Sequence, residues 1–127
     1  MKSKYKKSLS IIMILVILVS HSIISVSASS DYYESTYNGY NYNCNSSFGS
    51  NYLSSEMNYA GTSKINVIQD INYKQSGYST VYTDSRIALP QTSFVGIIAT
   101  INIDYYFTSC NYSYLIGANT VYSVGLF

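Results

Sequence analysis

Residues 94–107 read Phe-Val-Gly-Ile-Ile-Ala-Thr-Ile-Asn-Ile-Asp-Tyr-Tyr-Phe, and their alternation decides the fold class. Val95, Ile97, Ala99, Ile101, Ile103, Tyr105 and Phe107 fall on one face. Gly96, Ile98, Thr100, Asn102, Asp104 and Tyr106 fall on the other. A helix would smear these two sets around its surface, whereas an extended chain separates them. The β-branched content agrees with a strand. One face is strongly apolar and the other carries Ile98, so this segment is expected to be a central strand covered by a second layer.

Weaker copies of the pattern lie on both sides. Tyr40, Tyr42 and Cys44 alternate with asparagines. Leu53, Ser55, Met57 and Tyr59 share a face, as do Ile65, Val67, Gln69, Ile71 and Tyr73. Val81, Thr83, Ser85, Ile87 and Leu89 follow, and a last strand is expected over 121–126. Turn-forming stretches such as Ala60-Gly61-Thr62-Ser63 and Gln75-Ser76-Gly77 punctuate them. The expectation is all-β: an antiparallel β-sandwich, or a partly open barrel, of six or seven strands. It occupies residues 38–127 as a single domain, with 29–37 read as a flexible polar leader.

Ahead of it stands an export signal. Lys2, Lys4, Lys6 and Lys7 precede the unbroken apolar run Ile11–Val19, and Val26-Ser27-Ala28 ends it with small residues at the cleavage positions. Cleavage is expected between Ala28 and Ser29, leaving no stable membrane span in the mature form. Nine apolar residues are too few to cross ~30 Å of hydrocarbon. The expected location is outside the cell, free or at its surface.

Composition then removes whole classes of function. Residues 29–127 hold three basic and six acidic side chains, a net of −3, which argues against nucleic acid as a partner. The single His, His21, lies in the signal, so the mature chain cannot assemble a Ser-His-Asp or Cys-His arrangement. Two cysteines without His cannot supply four zinc ligands. The glycines are dispersed and form no phosphate cradle. No enzyme, metal or cofactor is expected. Leu89-Pro90-Gln91-Thr92-Ser93 is similar to an LPxTG-type sorting signal, but Ser93 stands in place of the glycine and a good strand follows it, so an inter-strand turn is expected.

Tyr, Asn, Ser and Thr make up 50 of the 99 mature residues, against 22 for Ile, Leu, Val and Phe. So few apolar residues barely sustain a core, and tyrosines must join it. Tyrosine also serves recognition surfaces, giving contact area at low entropic cost. Cys44 and Cys110, the only cysteines, are expected to form a disulfide outside the cell. That bond would gather Tyr40 and Tyr42 with Tyr112 and Tyr114 into one candidate binding surface.

The signal and the Tyr/Asn/Ser-rich chain resemble small exported proteins of low-GC Gram-positive bacteria. In format the chain is similar to the lactococcin 972-type bacteriocins, small secreted β-sandwiches. Their Trp and His residues have no counterpart here, so no residue's role is carried over. The leading expectation is non-catalytic binding of an extracellular ligand (glycan, cell wall or protein) through a Tyr-rich surface. The alternatives are a bacteriocin-like protein acting on the cell envelope and a self-assembling matrix or surface-layer component. Self-association is favoured by the β-prone, uncharged run from Phe94 to Ile103.

Overall fold

A computed structural model describes residues 28–127; the expected export signal, residues 1–28, lies outside the described residues except for Ala28. Eight strands run in chain order: β1 (Ser29–Tyr37), β2 (Tyr40–Phe48), β3 (Tyr52–Tyr59), β4 (Ile65–Gln75), β5 (Val81–Ile87), β6 (Phe94–Thr100), β7 (Tyr105–Ile116) and β8 (Asn119–Leu126). They form two antiparallel four-stranded sheets, ordered β1-β2-β3-β6 and β5-β4-β7-β8. There is no helix among the described residues. The sheets pack face to face around one core, so the all-β sandwich stands and the strand count rises from six or seven to eight.

The added strand is the segment expected to be a leader. Residues 29–37 pair along their whole length with β2, from Ser29 opposite Phe48 to Tyr37 opposite Tyr40. The turn between them is Asn38-Gly39, both with positive φ (52° and 81°). That dipeptide is the preferred two-residue hairpin turn, because its twist matches the flanking strands. Polar composition masked the strand: β1 is an edge with one face in solvent, and alternation survives only in Tyr33 and Tyr37 packing inward.

The stretch 94–107 is not a single central strand. β6 ends at Thr100 and lies at the edge of its sheet, and β7 starts at Tyr105 in the other sheet. A corner joins them, in which Tyr105 donates its backbone N–H to Asn102 O at 2.9 Å and Asp104 donates to Asn102 Oδ1 at 3.3 Å. The alternating phase passes through the corner, with Val95, Ala99 and Phe107 buried, but Ile103 is 92% exposed at its tip. Alternation reports which way a side chain points and not which sheet it belongs to. The central strands are β2 and β3 in one sheet and β4 and β7 in the other.

Tyrosines complete the core. Tyr112 and Tyr114 are wholly buried beside Leu53, Met57, Val67 and Ile116. A buried phenol needs a partner for its hydroxyl. Tyr112 donates to Ser47 O and Tyr114 to Asn45 O, each at 2.6 Å, across the gap to β2. A tyrosine hydroxyl has one proton. Ser46 therefore donates to Tyr114 Oη, at 2.6 Å. Tyr122 on β8 stacks on Tyr33 of β1, with centroids 4.1 Å apart, and donates to Asp31 Oδ2 at 2.7 Å.

Candidate functional site

The expected binding surface does not exist as a surface. Tyr42, Tyr112 and Tyr114 are core residues, and only Tyr40 is exposed, at 50%. Tyr40 sits beside the β1–β2 turn with its ring edge-to-face on Tyr59. The reason lies in composition: with so few aliphatic residues, the inward positions of β2 and β7 are filled by tyrosine. The demand for core volume outweighs the use of these rings for recognition.

The expected disulfide is absent as well. Cys44 and Cys110 are free and buried. They project into the core from β2 and β7, the two strands that Tyr112 and Tyr114 bridge. A disulfide needs Cα atoms within about 7 Å. Packed sheets stand ~10 Å apart, and a tyrosine with its hydroxyl anchored on the far strand props that gap open. Burial pushes both thiols up to about 12, with smaller contributions from Asp31 at Cys44 and Asp70 at Cys110. Burial likewise raises the Tyr112 and Tyr114 phenols above the usual range.

A different set of tyrosines converges where the sandwich is open. The sheets are offset, so that β6 packs over β4. β5, the next strand out, has every residue exposed. Along its inward side lie Tyr82, Asp84 and Arg86, opposite Tyr73, Ile71 and Gln69 of β4. Tyr73 and Tyr82 stack at 5.4 Å, and Tyr105 meets both edge-on, at 6.0 and 6.5 Å. With Thr100 and Ile101 at the end of β6, these residues line a cleft of about 320 Å³.

The cleft also holds the one ion pair among the described residues, Arg86 Nε to Asp84 Oδ2 at 3.4 Å. Both partners are about half exposed, so the pair adds little to stability. Asp84 Oδ1 also accepts from Ser85 N at 2.9 Å, and the two terminal amino groups of Arg86 are left to donate to a ligand. Arg86 is the only arginine in the chain. Beneath, wholly buried Gln69 donates Nε2 to Ser55 Oγ at 2.9 Å and to Ile97 O at 3.3 Å, tying β4 to β3 and β6.

Aromatic faces and bidentate polar groups together suit a polar ligand held without covalent chemistry. A larger depression on the outer face of β1–β3, about 670 Å³, is lined by Glu34, Asn41, Asn43 and Asn58. It is a weaker candidate. Asn58 donates to Asn43 Oδ1 at 3.0 Å, so two of its amides already satisfy one another, and no exposed ring borders it. No cluster of metal-ligating side chains occurs among the described residues, and none of their helices could cross a membrane, since there are none.

The sequence places Tyr73 and Tyr105 on apolar strand faces without marking them as a site, and Tyr82, Asp84 and Arg86 are not among its candidate site residues. Alternation over 81–89 groups Val81, Thr83, Ser85, Ile87 and Leu89 on one face; in the structure the other face, with Tyr82, Asp84 and Arg86, lines the cleft. A signal was present: Tyr82, Asp84 and Arg86 alternate on one side of a strand whose other side is equally polar in its middle. Such a strand buries neither face. Comparison with protein-family models, characterised proteins and solved structures gives no match.

Proposed function

We propose that the chain is an exported, non-catalytic binding protein and that the cleft between β5 and the end of β6 is its ligand site. The convergence of Tyr73, Tyr82 and Tyr105 beside the Asp84–Arg86 pair carries this reading. Export is supported by the Lys-rich start and the apolar run Ile11–Val19.

The absence of His from the mature chain supports binding over catalysis, as does the dispersal of its carboxylates. Asp31 accepts from Tyr122, Glu34 from Tyr32, Asp70 from Ser85, and Asp84 is paired with Arg86. The other two, Glu56 and Asp104, sit on the outer face of β3 and in the corner before β7, so no two carboxylates stand together as a free acid–base pair.

The test uses the secreted form, residues 29–127, on arrays of glycans, cell-wall polymers and peptides. Tyr82→Ser and Arg86→Ala should weaken whatever interaction is found, while Tyr40→Ser leaves it unchanged. An interaction that depends on Tyr40 and ignores both cleft variants would overturn the assignment.

A further inference from the structure

The cleft has a wall that is made of backbone. Ser93 O accepts from Tyr59 N at 3.0 Å, and Ile101 N donates to Asn51 O at 3.3 Å. In an antiparallel ladder, groups facing one neighbour recur every second residue. The odd-numbered residues of β6 therefore bond to β3. Gly96, Ile98 and Thr100 turn their N–H and C=O groups to the free edge of the sheet.

Three features combine at this edge; β8 is the other uncharged edge, but β1 and β2 pack over it. From Ile87 to Ile103 the chain carries no charge, whereas β1 carries Asp31 and Glu34, and β5 carries Asp84 and Arg86. Phe94 and Ile98 are exposed on its outer side, at 47% and 64%. Beneath the vacant position beside β6 runs β5, whose inward side chains have nothing above them. Edges are normally blunted by charge, proline or cover, and this one is not.

Resting on the cleft as the binding site, we infer that its ligand is an extended polypeptide segment that adds to β6 as a fifth strand. Its backbone satisfies Gly96 and Ile98. One set of its alternate side chains packs outward on Phe94 and Ile98. The other set points down onto Tyr82, Asp84 and Arg86. Main-chain groups supply affinity in this mode and alternate pockets supply selectivity.

The occupant is a segment and not a second copy of the domain. Strands are spaced alike in both sheets, ~4.8 Å apart. A neighbour joining through its own β6 would bring its own β5 into the space that β5 already fills. A glycan leaves the row of N–H and C=O groups unpaired, whereas a peptide strand pairs them one for one.

The probe is a synthetic peptide with Phe, Gly, Ile and Thr at alternate positions, threonine between them and lysines at the ends. This order lets its Ile lie opposite Gly96 and its Gly opposite Ile98 in antiparallel register. Hydrogen exchange in the 15N-labelled secreted form should slow at the Gly96 and Ile98 amides when the peptide is added. Ile98→Pro removes an N–H that the fold does not use, and should weaken peptide binding at least about tenfold with unchanged circular dichroism.

No added protection at Gly96 and Ile98 on the wild-type protein overturns the inference, whether or not the proline variant folds. So does undiminished binding by folded Ile98→Pro. The two readings separate cleanly: an oligosaccharide that binds with dependence on Tyr82, but equally to Ile98→Pro, retains the cleft and discards strand addition.

Discussion

Tyr114→Phe removes one oxygen atom and nothing else. The ring stays buried, so the only space opened is the size of a hydroxyl and the apolar burial is unchanged. What goes is a pair of hydrogen bonds, one donated to Asn45 O and one accepted from Ser46, each at 2.6 Å. Each bond is worth about 1 kcal/mol net, and Ser46, 2% exposed, is left with a stranded hydroxyl. The expected loss is about 2–3 kcal/mol, a large part of the ~5–15 kcal/mol that holds a domain together. Thermal unfolding followed by circular dichroism should show Tm falling by roughly 8–24 °C for a domain of this size. Tyr40→Phe, at an exposed ring, should cost no more than about 0.5 kcal/mol. Ser46→Ala combined with Tyr114→Phe should cost less than the sum of the single changes, because removing both partners leaves no stranded group. A Tyr114→Phe protein within 0.5 kcal/mol of wild type, or strict additivity with Ser46→Ala, would refute the claim that this hydroxyl bridges the sheets.

Other outcomes follow from the same core. Cys44 and Cys110 should resist thiol reagents at neutral pH in the native protein and both react once it is unfolded; rapid reaction without denaturant would contradict their burial. Their thiols ionise near the ordinary value of 9.0 when unfolded and at about 12 when folded. The unfolded state therefore holds fewer protons between those values. Stability should be full below pH about 9 and fall as pH rises toward 12, by at most about 1.4 kcal/mol per pH unit for each thiol. Replacing both by alanine should flatten the limb between pH about 9 and 10 in urea titrations and leave a slope above pH about 10, where the buried Tyr112 and Tyr114 phenols also hold their protons in the folded state. A Cβ on Gly61 would collide with the ring of Tyr59, so Gly61→Ala should cost about 1–3 kcal/mol, read as a lower urea midpoint. Tyr122→Phe releases Asp31 Oδ2 and should speed amide exchange in β1 ahead of β4 and β7.

How far the fold was legible depends on the segment. Alternation identified the inward faces of β2, β3 and β4 correctly, because each has one buried and one solvated side. It misled at 94–107, where two strands in different sheets share a phase across the Asn102 corner, and at β5, which buries neither side. Polar composition hid β1, although Asn38-Gly39 announced its hairpin. The thin supply of aliphatic residues already implied tyrosines in the core; treating Tyr42, Tyr112 and Tyr114 as a surface set that implication aside. The cleft was not legible because it depends on the lateral offset between the sheets. Nothing local to Tyr73, Tyr82 or Tyr105 encodes that offset.

The Tyr112 and Tyr114 bridges end on the carbonyls of Ser47 and Asn45, whose own side chains lie on the opposite, solvent side of β2. A main-chain acceptor is present whatever residue occupies the position. The outer positions 45 and 47 can therefore drift in sequence without loosening the sandwich, while the inward tyrosines cannot. Lineages of this chain would be expected to vary freely on the exterior of β2 and to hold its interior still. A designer could rewrite that exterior face without touching the scaffold's stability.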